Sequence, residues 1–384
     1  MEVVVEFIVN KEDLLPELTL IQGVIERKTT MPILSNLLLK ATAEGVELLA
    51  TDLDVGLKTR CEAQVTGQGE VTVQARKLFD VVKSLPGGEI RFKVAGSADL
   101  GITCGKSRFK LRGLPAADFP ALPDATVEQP VHLTGIDLRD LVAKVLFAVT
   151  VDDPVYSLNG ALLRIDGKTL TLVATDGHRL AYVSRELNID PVKTPLERVV
   201  HRKTLSELSK MLAESGNDTV SCGEVANHLL FRSARSTLFS RFLDKSFPAF
   251  EKVLPEGNDQ HLMADRGALT GALKRVSLLS SERSRAVRLS VEAGSLEISS
   301  NSPELGEAME TLPVDYTGKP MAIGFNARYL VDFLDVVSDE KVRLSLKDAD
   351  TQGLLTPGEE HPEDYRYVVM PMQLRGEEGA KDAS

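Results

Sequence analysis

The sequence predicts an α+β protein made of three copies of one module, and three observations lead there. A two-stranded pattern with a glycine-containing turn recurs three times, roughly 125 residues apart. An amphipathic helical pattern precedes each copy, and a strand running into a second helix follows each one.

The elements follow in chain order. Residues 1–7 read as a strand, and Leu14, Leu18, Ile21 and Ile25, spaced three or four apart, predict a helix. Residues 34–40 and 45–52 alternate around Gly45 as a β-hairpin. Residues 71–80 carry a strand into a second helix, and strands at 89–94 and 108–112 close the copy. The second copy repeats this with Leu138, Leu141 and Val145 on a helix, a hairpin over 158–164 and 167–176, and a strand–helix run over 199–208. The third has Leu269, Leu273 and Val276, a weaker hairpin over 286–291 and 294–301, and a strand–helix run over 322–331. Segments rich in Pro, Gly and charge near 123–130 and 255–261 mark the boundaries. The expected modules are 1–125, 126–257 and 258–374, with a disordered tail at 375–384.

Composition narrows the class. A chain of 384 residues with 43% apolar content and a mean hydropathy of -0.05 fits a soluble globular protein of two or three domains. No apolar run approaches the ~18 residues of a membrane span. The start lacks the basic and apolar regions of a signal peptide. Cys61, Cys104 and Cys222 are odd in number and far apart, which fits a reducing cytoplasm and neither a disulfide framework nor a zinc site.

The net charge of -11 argues at face value against nucleic acid. Its distribution weakens the objection. From Thr356 onward seven acids stand against three bases, so this end alone holds four of the eleven excess negative charges. The expected helices are less acidic: Arg76, Lys77 and Lys83 oppose only Asp80, and Arg202, Lys203 and Lys210 oppose only Glu207. Lys274 and Arg275 end a third helix. Two readings stay open, a solvated face complementing the helix dipole or a surface for phosphates that ignores sequence.

No phosphate loop, HExxH, GxSxG or dinucleotide fingerprint occurs, so no catalytic, metal or cofactor residue is assigned. The cluster Thr175-Asp176-Gly177-His178-Arg179 allows His178 as a general base oriented by Asp176. The matching stretch of the first copy, Thr51-Asp52-Leu53-Asp54, has no His, which favours a turn that caps a strand or lines a surface.

Four runs together carry a family resemblance: residues 31–39, 107–120, 173–181 and 367–372. On a threefold repeat and in this order, the chain resembles the beta subunit of bacterial DNA polymerase III, the sliding clamp, up to about Leu374. The resemblance implies a head-to-tail homodimer that closes a ring of six modules, helices lining the hole and antiparallel sheets outside. Such a ring encircles duplex DNA without reading sequence, has no cofactor, and tethers the replicative polymerase, clamp loader and repair proteins through a short peptide motif. A specialised copy, such as one carried for drug resistance, would share the mechanism.

Matching positions place the family's peptide pocket on Leu158, Thr175, Gly177, His178, Arg179, Leu180, Pro248, Val253, Asn326, Tyr329, Val368, Met370, Pro371 and Met372. DNA-facing positions fall on Arg27, Lys28, Arg76, Lys106, Tyr156, Arg202 and Lys203. At the ring interface Phe109 and Leu111 are expected to meet Leu278 and Leu279 of a partner. Lys77, Lys106 and Arg108 are expected to face Glu304, Glu307 and Glu310. Ser284 and Lys252 depart from the family pattern at the pocket edge.

Overall fold

The three glycine turns close three antiparallel hairpins. Asn36–Thr42 pairs with Gly45–Thr51, Gly160–Gly167 with Thr169–Thr175, and Ala286–Glu292 with Ser295–Ser302. Gly167 and Gly294 take φ of 57° and 75°, a left-handed conformation in which a side chain is strained. The computed structural model describes residues 5–26, 30–95, 99–123, 127, 129–150, 159–216, 218–243, 246–282 and 284–373.

Six α-helices occur among the described residues: α1 Lys11–Val24, α2 Ala75–Ser84, α3 Gly135–Leu146, α4 Arg202–Ser215, α5 Arg266–Val276 and α6 Ala327–Leu334. The apolar spacing explains which side each buries. Leu14, Leu18, Ile21 and Val24 of α1 are buried, as are Leu138, Leu141 and Val145 of α3 and Leu269, Leu273 and Val276 of α5. Ile25, expected inside α1, instead ends it in extended backbone. The second helix of each copy starts where a strand stops, with no loop between: Gly69–Gln74 runs into α2, Val192–His201 into α4, and Met321–Asn326 into α6. Two of these joints are capped by a side chain, His201 Nδ1 accepting from Lys203 N at 3.1 Å and Asn326 Oδ1 from Arg328 N at 3.0 Å.

Among the described residues four antiparallel sheets form. The first, five-stranded, ends on Ser107–Leu111, and the last, four-stranded, ends on Gly306–Pro313. The two sheets between them cross the repeat boundaries. A nine-stranded sheet forms because Val55–Cys61 of the first copy pairs with Ser236–Arg241 of the second. An eight-stranded sheet forms because Arg179–Glu186 pairs with Glu363–Val369 of the third.

This pairing decides how the chain packs. It divides into two compact units, Met1–Asp140 with Val200–Leu243, and Leu141–Val199 with Asp244–Ser384. The sequence repeat counts three modules, whereas packing counts two units, because the middle copy gives one set of strands to each. In the first unit Phe7 stacks on Phe92 at 4.8 Å, and Thr59 and Ser236, opposite one another across the joining strands, hydrogen-bond at 2.8 Å. The Thr59 hydroxyl also reaches the buried Glu17 carboxylate. In the second unit Phe333 packs at 5.3 Å from both Tyr365 and Tyr367.

Candidate functional site

The turn over 175–179 is built by its own side chains. Thr175 Oγ1 donates to Arg179 O at 2.6 Å and accepts from Gly177 N at 3.1 Å. Asp176 Oδ1 accepts from the backbone N–H of His178 and of Arg179, at 3.0 and 3.1 Å. Gly177 supplies the φ of 85° that the turn requires. The Asp176 carboxylate therefore holds backbone and does not orient the His178 ring, which removes the catalytic reading of this pair.

Arg179 is the unexpected member. A position expected to line the peptide pocket is only 8% exposed. Its Nε donates to Asp176 at 3.0 Å, Nη1 to Asp332 at 2.5 Å and to the Tyr367 hydroxyl at 3.4 Å, and Nη2 to Phe147 O at 2.7 Å. The guanidinium lies 4.3 Å over the Tyr329 ring. Burial works against the charge, but Tyr367, Asp332 and Asp176 outweigh it and raise the pKa of Arg179. All three nitrogens are committed inside the protein, so Arg179 shapes the site from beneath.

The apolar residues of the site lie together. Leu180 and Val368 join Leu162, Val173 and Phe250 in one buried cluster, with Val253, Tyr182, Phe247, Leu254 and Leu354 packed on it half-buried. Leu180 and Val368 are neighbours because they pair directly across the two joining strands. Met370, Pro371 and Met372 follow at the strand end, half-buried. Met370 N bonds His178 O at 2.9 Å and Met372 N bonds Gly324 O at 2.8 Å, so this segment is stitched to the turn on one side and to the strand entering α6 on the other. His178 is exposed, its ring nearly parallel to Tyr329 at 6.5 Å. Pro248 is exposed, Asn326 spends its oxygen on the α6 cap, and Leu158 lies outside the described residues. Phe250, Asp332 and Phe147 belong to the site and were missed. Their partners are distant in the chain, and only the pairing of the strands brings them in.

Two sheet edges carry the other expected contacts. On Ser107–Leu111, Arg108, Phe109 and Lys110 are all exposed, Phe109 at 39%. Lys106 is exposed just before it. In the other unit, Glu304 and Glu307 are exposed beside Gly306–Pro313, with Leu278 exposed at 75% and Met309 at 66%. Leu305 and Met309 add apolar surface that the charge pattern of this strand concealed. Glu310 is already held by Arg275, at 2.6 and 2.9 Å, and this ion pair keeps its pKa below the ordinary value. Each edge strand pairs on one side within the described residues, leaving a row of backbone N–H and C=O groups open.

The basic candidates divide. Arg76 and Lys77 are exposed on α2. Arg202 is half-buried, and Lys203 Nζ donates to Val24 O at 2.7 Å and to the Asp52 carboxylate, which takes it away from solvent. Arg27, Lys28 and Tyr156 lie outside the described residues, as does the tail 375–384.

Repeated α+β modules built on antiparallel sheets, with two sheet edges open on one side within the described residues, point to the DNA-clamp class. Comparison with known proteins agrees along the chain. Family models of the DNA polymerase III beta subunit match as its N-terminal domain over 5–123, its central domain over 132–249 and its C-terminal domain over 251–373. The beta sliding clamp of Pseudomonas putida is 40% identical over 370 residues, covering 96% of this chain and 100% of that protein. The Escherichia coli beta sliding clamp is 36% identical over 371 residues with the same coverage. A crystal structure of the Pseudomonas aeruginosa sliding clamp bound to griselimycin superposes with a TM-score of 0.90 at 38% identity, over 96% of this chain and 100% of that one. The chain belongs to the DNA polymerase III beta subunit family. Its function is that of a DNA sliding clamp, a processivity factor of replication and not an enzyme.

Proposed function

We propose that the chain closes a homodimeric ring around duplex DNA through its two open sheet edges and docks partners in the groove beside the 175–179 turn. It works in the bacterial cytoplasm, which accords with three free, buried cysteines. Modules at 1–125, 126–257 and 258–374 are the repeating units of the ring. The observation that carries the reading is the pair of complementary edges. One offers Lys106 and Arg108 beside Phe109, the other Glu304 and Glu307 around Leu278, Leu305 and Met309. Each is an edge strand open on one side, so joining them satisfies backbone groups as it buries apolar surface.

Arg76 and Lys106 are the cations best placed for weak phosphate contacts, being exposed and, within the described residues, without an ion pair. Weak contacts suffice for a ring that holds DNA by topology, which reconciles the role with an acidic chain. At the strand end, half-buried Met370 and Met372 offer adaptable apolar surface suited to a short peptide motif shared by the polymerase, the clamp loader and repair proteins.

The test is assembly. Changing Leu278 and Leu279 together to Ala removes at most about 2–5 kcal/mol per Leu at each interface. Sedimentation is expected to show folded monomers where the parent is a dimer. A double variant that stays dimeric at nanomolar concentration places the interface elsewhere.

A further inference from the structure

We propose that Asp332 is a positioning residue for partner docking, acting through Arg179 on the Tyr329 ring and the 175–179 turn. The proposal rests on the reading of the neighbouring groove as the docking site. Asp332 itself contributes nothing to the apolar floor of that groove; it lies on α6.

The 51–55 turn shows which parts of the 175–179 turn need outside help. Both close with the same four bonds from a Thr hydroxyl and an Asp carboxylate, so the backbone shape is self-sufficient. What the second turn adds is the Arg179 side chain, and its fixed position has to come from elsewhere. Asp176 belongs to the turn itself and anchors it to nothing. Phe147 O and the Tyr367 hydroxyl are neutral acceptors. Among the described residues Asp332 is the one charged partner of Arg179 supplied by another element.

Geometry makes that bond consequential. Tyr329 and Asp332 are three residues apart on α6, so they share a helix face. An arginine bonded to Asp332 is thereby held over the Tyr329 ring, at 4.3 Å from its centroid. Tyr329 in turn faces His178, whose carbonyl binds Met370 N. The chain of contacts from Asp332 to the groove is thus Arg179, Tyr329, His178 and Met370. Glu207 occupies the matching place on α4, but it binds Lys210 at 2.7 Å, and the turn of that unit carries Val55 where Arg179 stands.

The experiment is a fluorescence-anisotropy titration with a labelled peptide, the clamp-binding segment of the replicative polymerase. Full-length dimers of the parent, Asp332→Asn, Asp332→Glu, Met370→Ala, Arg179→Gln and Arg179→Gln/Asp332→Asn are compared, with melting and sedimentation beside them. Asp332→Asn is expected to weaken binding about tenfold, equivalent to about 1.4 kcal/mol, with the dimer and a cooperative melting transition retained. Asp332→Glu recovers part of the loss, and in the Arg179→Gln background Asp332→Asn has no further effect. The proposal is overturned if Asp332→Asn binds as the parent does while Met370→Ala is weakened. It is also overturned if Asp332→Asn costs the same with and without Arg179. If Met370→Ala too binds as the parent does, the docking-groove reading itself has failed.

Discussion

The turns over 51–55 and 175–179 are one device used twice. In each, a Thr hydroxyl and an Asp carboxylate close the loop with the same bonds, and the residue before the new strand offers its carbonyl to the strand of the next copy. Arg241 N reaches Asp54 O at 2.8 Å, and Met370 N reaches His178 O at 2.9 Å. The difference lies in where the second Asp oxygen goes. Asp52 takes Lys203 from the facing helix, while Asp176 takes Arg179 from its own turn, which frees Arg179 to tie the turn to Asp332 of the facing helix. The two turns thus share one backbone and differ in side chains, with Arg179 for Val55, Gly177 for Leu53 and Met370 for Arg241.

The comparison breaks most visibly at the cations. Arg179→Met leaves two carboxylates facing a buried apolar group and should cost about 3 kcal/mol, the lower end for breaking a buried pair. Lys203→Met should cost only about 1 kcal/mol, because Asp52 keeps its two backbone N–H donors and Lys203 is more exposed. Urea unfolding of both variants checks the order, and equal losses would mean the two turns are held alike.

A smaller effect sharpens the comparison at the left-handed position. Leu53 sits at φ 82° and is 48% exposed, while Gly177 sits at φ 85° with open space where a Cβ would be. Gly177→Ala should therefore destabilise by about 1 kcal/mol through backbone strain alone. Leu53→Gly should change stability by under about 0.5 kcal/mol, since relief of strain is offset by the greater freedom of the unfolded chain. Paired thermal melts decide it, and a neutral Gly177→Ala would show that this turn bears no strain.

The repeats, hairpins and strand–helix joints were legible because they are local: periods of two and 3.6 with glycine punctuation. The two compact units were not, because the pairings that create them join Leu57 to Leu238 and Ala181 to Tyr367, residues far apart in the chain. The same limit hid the burial of Arg179, whose anchor Asp332 lies 153 residues away, and the capture of Lys203 by Asp52 at a separation of 151. In both cases a charge that reads as surface in the sequence is internal in the fold. Of the pocket positions carried by resemblance, Leu180 and Val368 are directly paired across the joining strands.

The measurement closest to the central claim is retention on DNA before and after the circle is cut. Protein loaded on a closed circular plasmid is expected to remain at a salt concentration that abolishes binding to a short linear duplex, where released counterions supply most of the affinity. Cutting the plasmid once should release it. Equal retention on circle and line, or tight binding to one short sequence, would contradict a ring that holds DNA by topology.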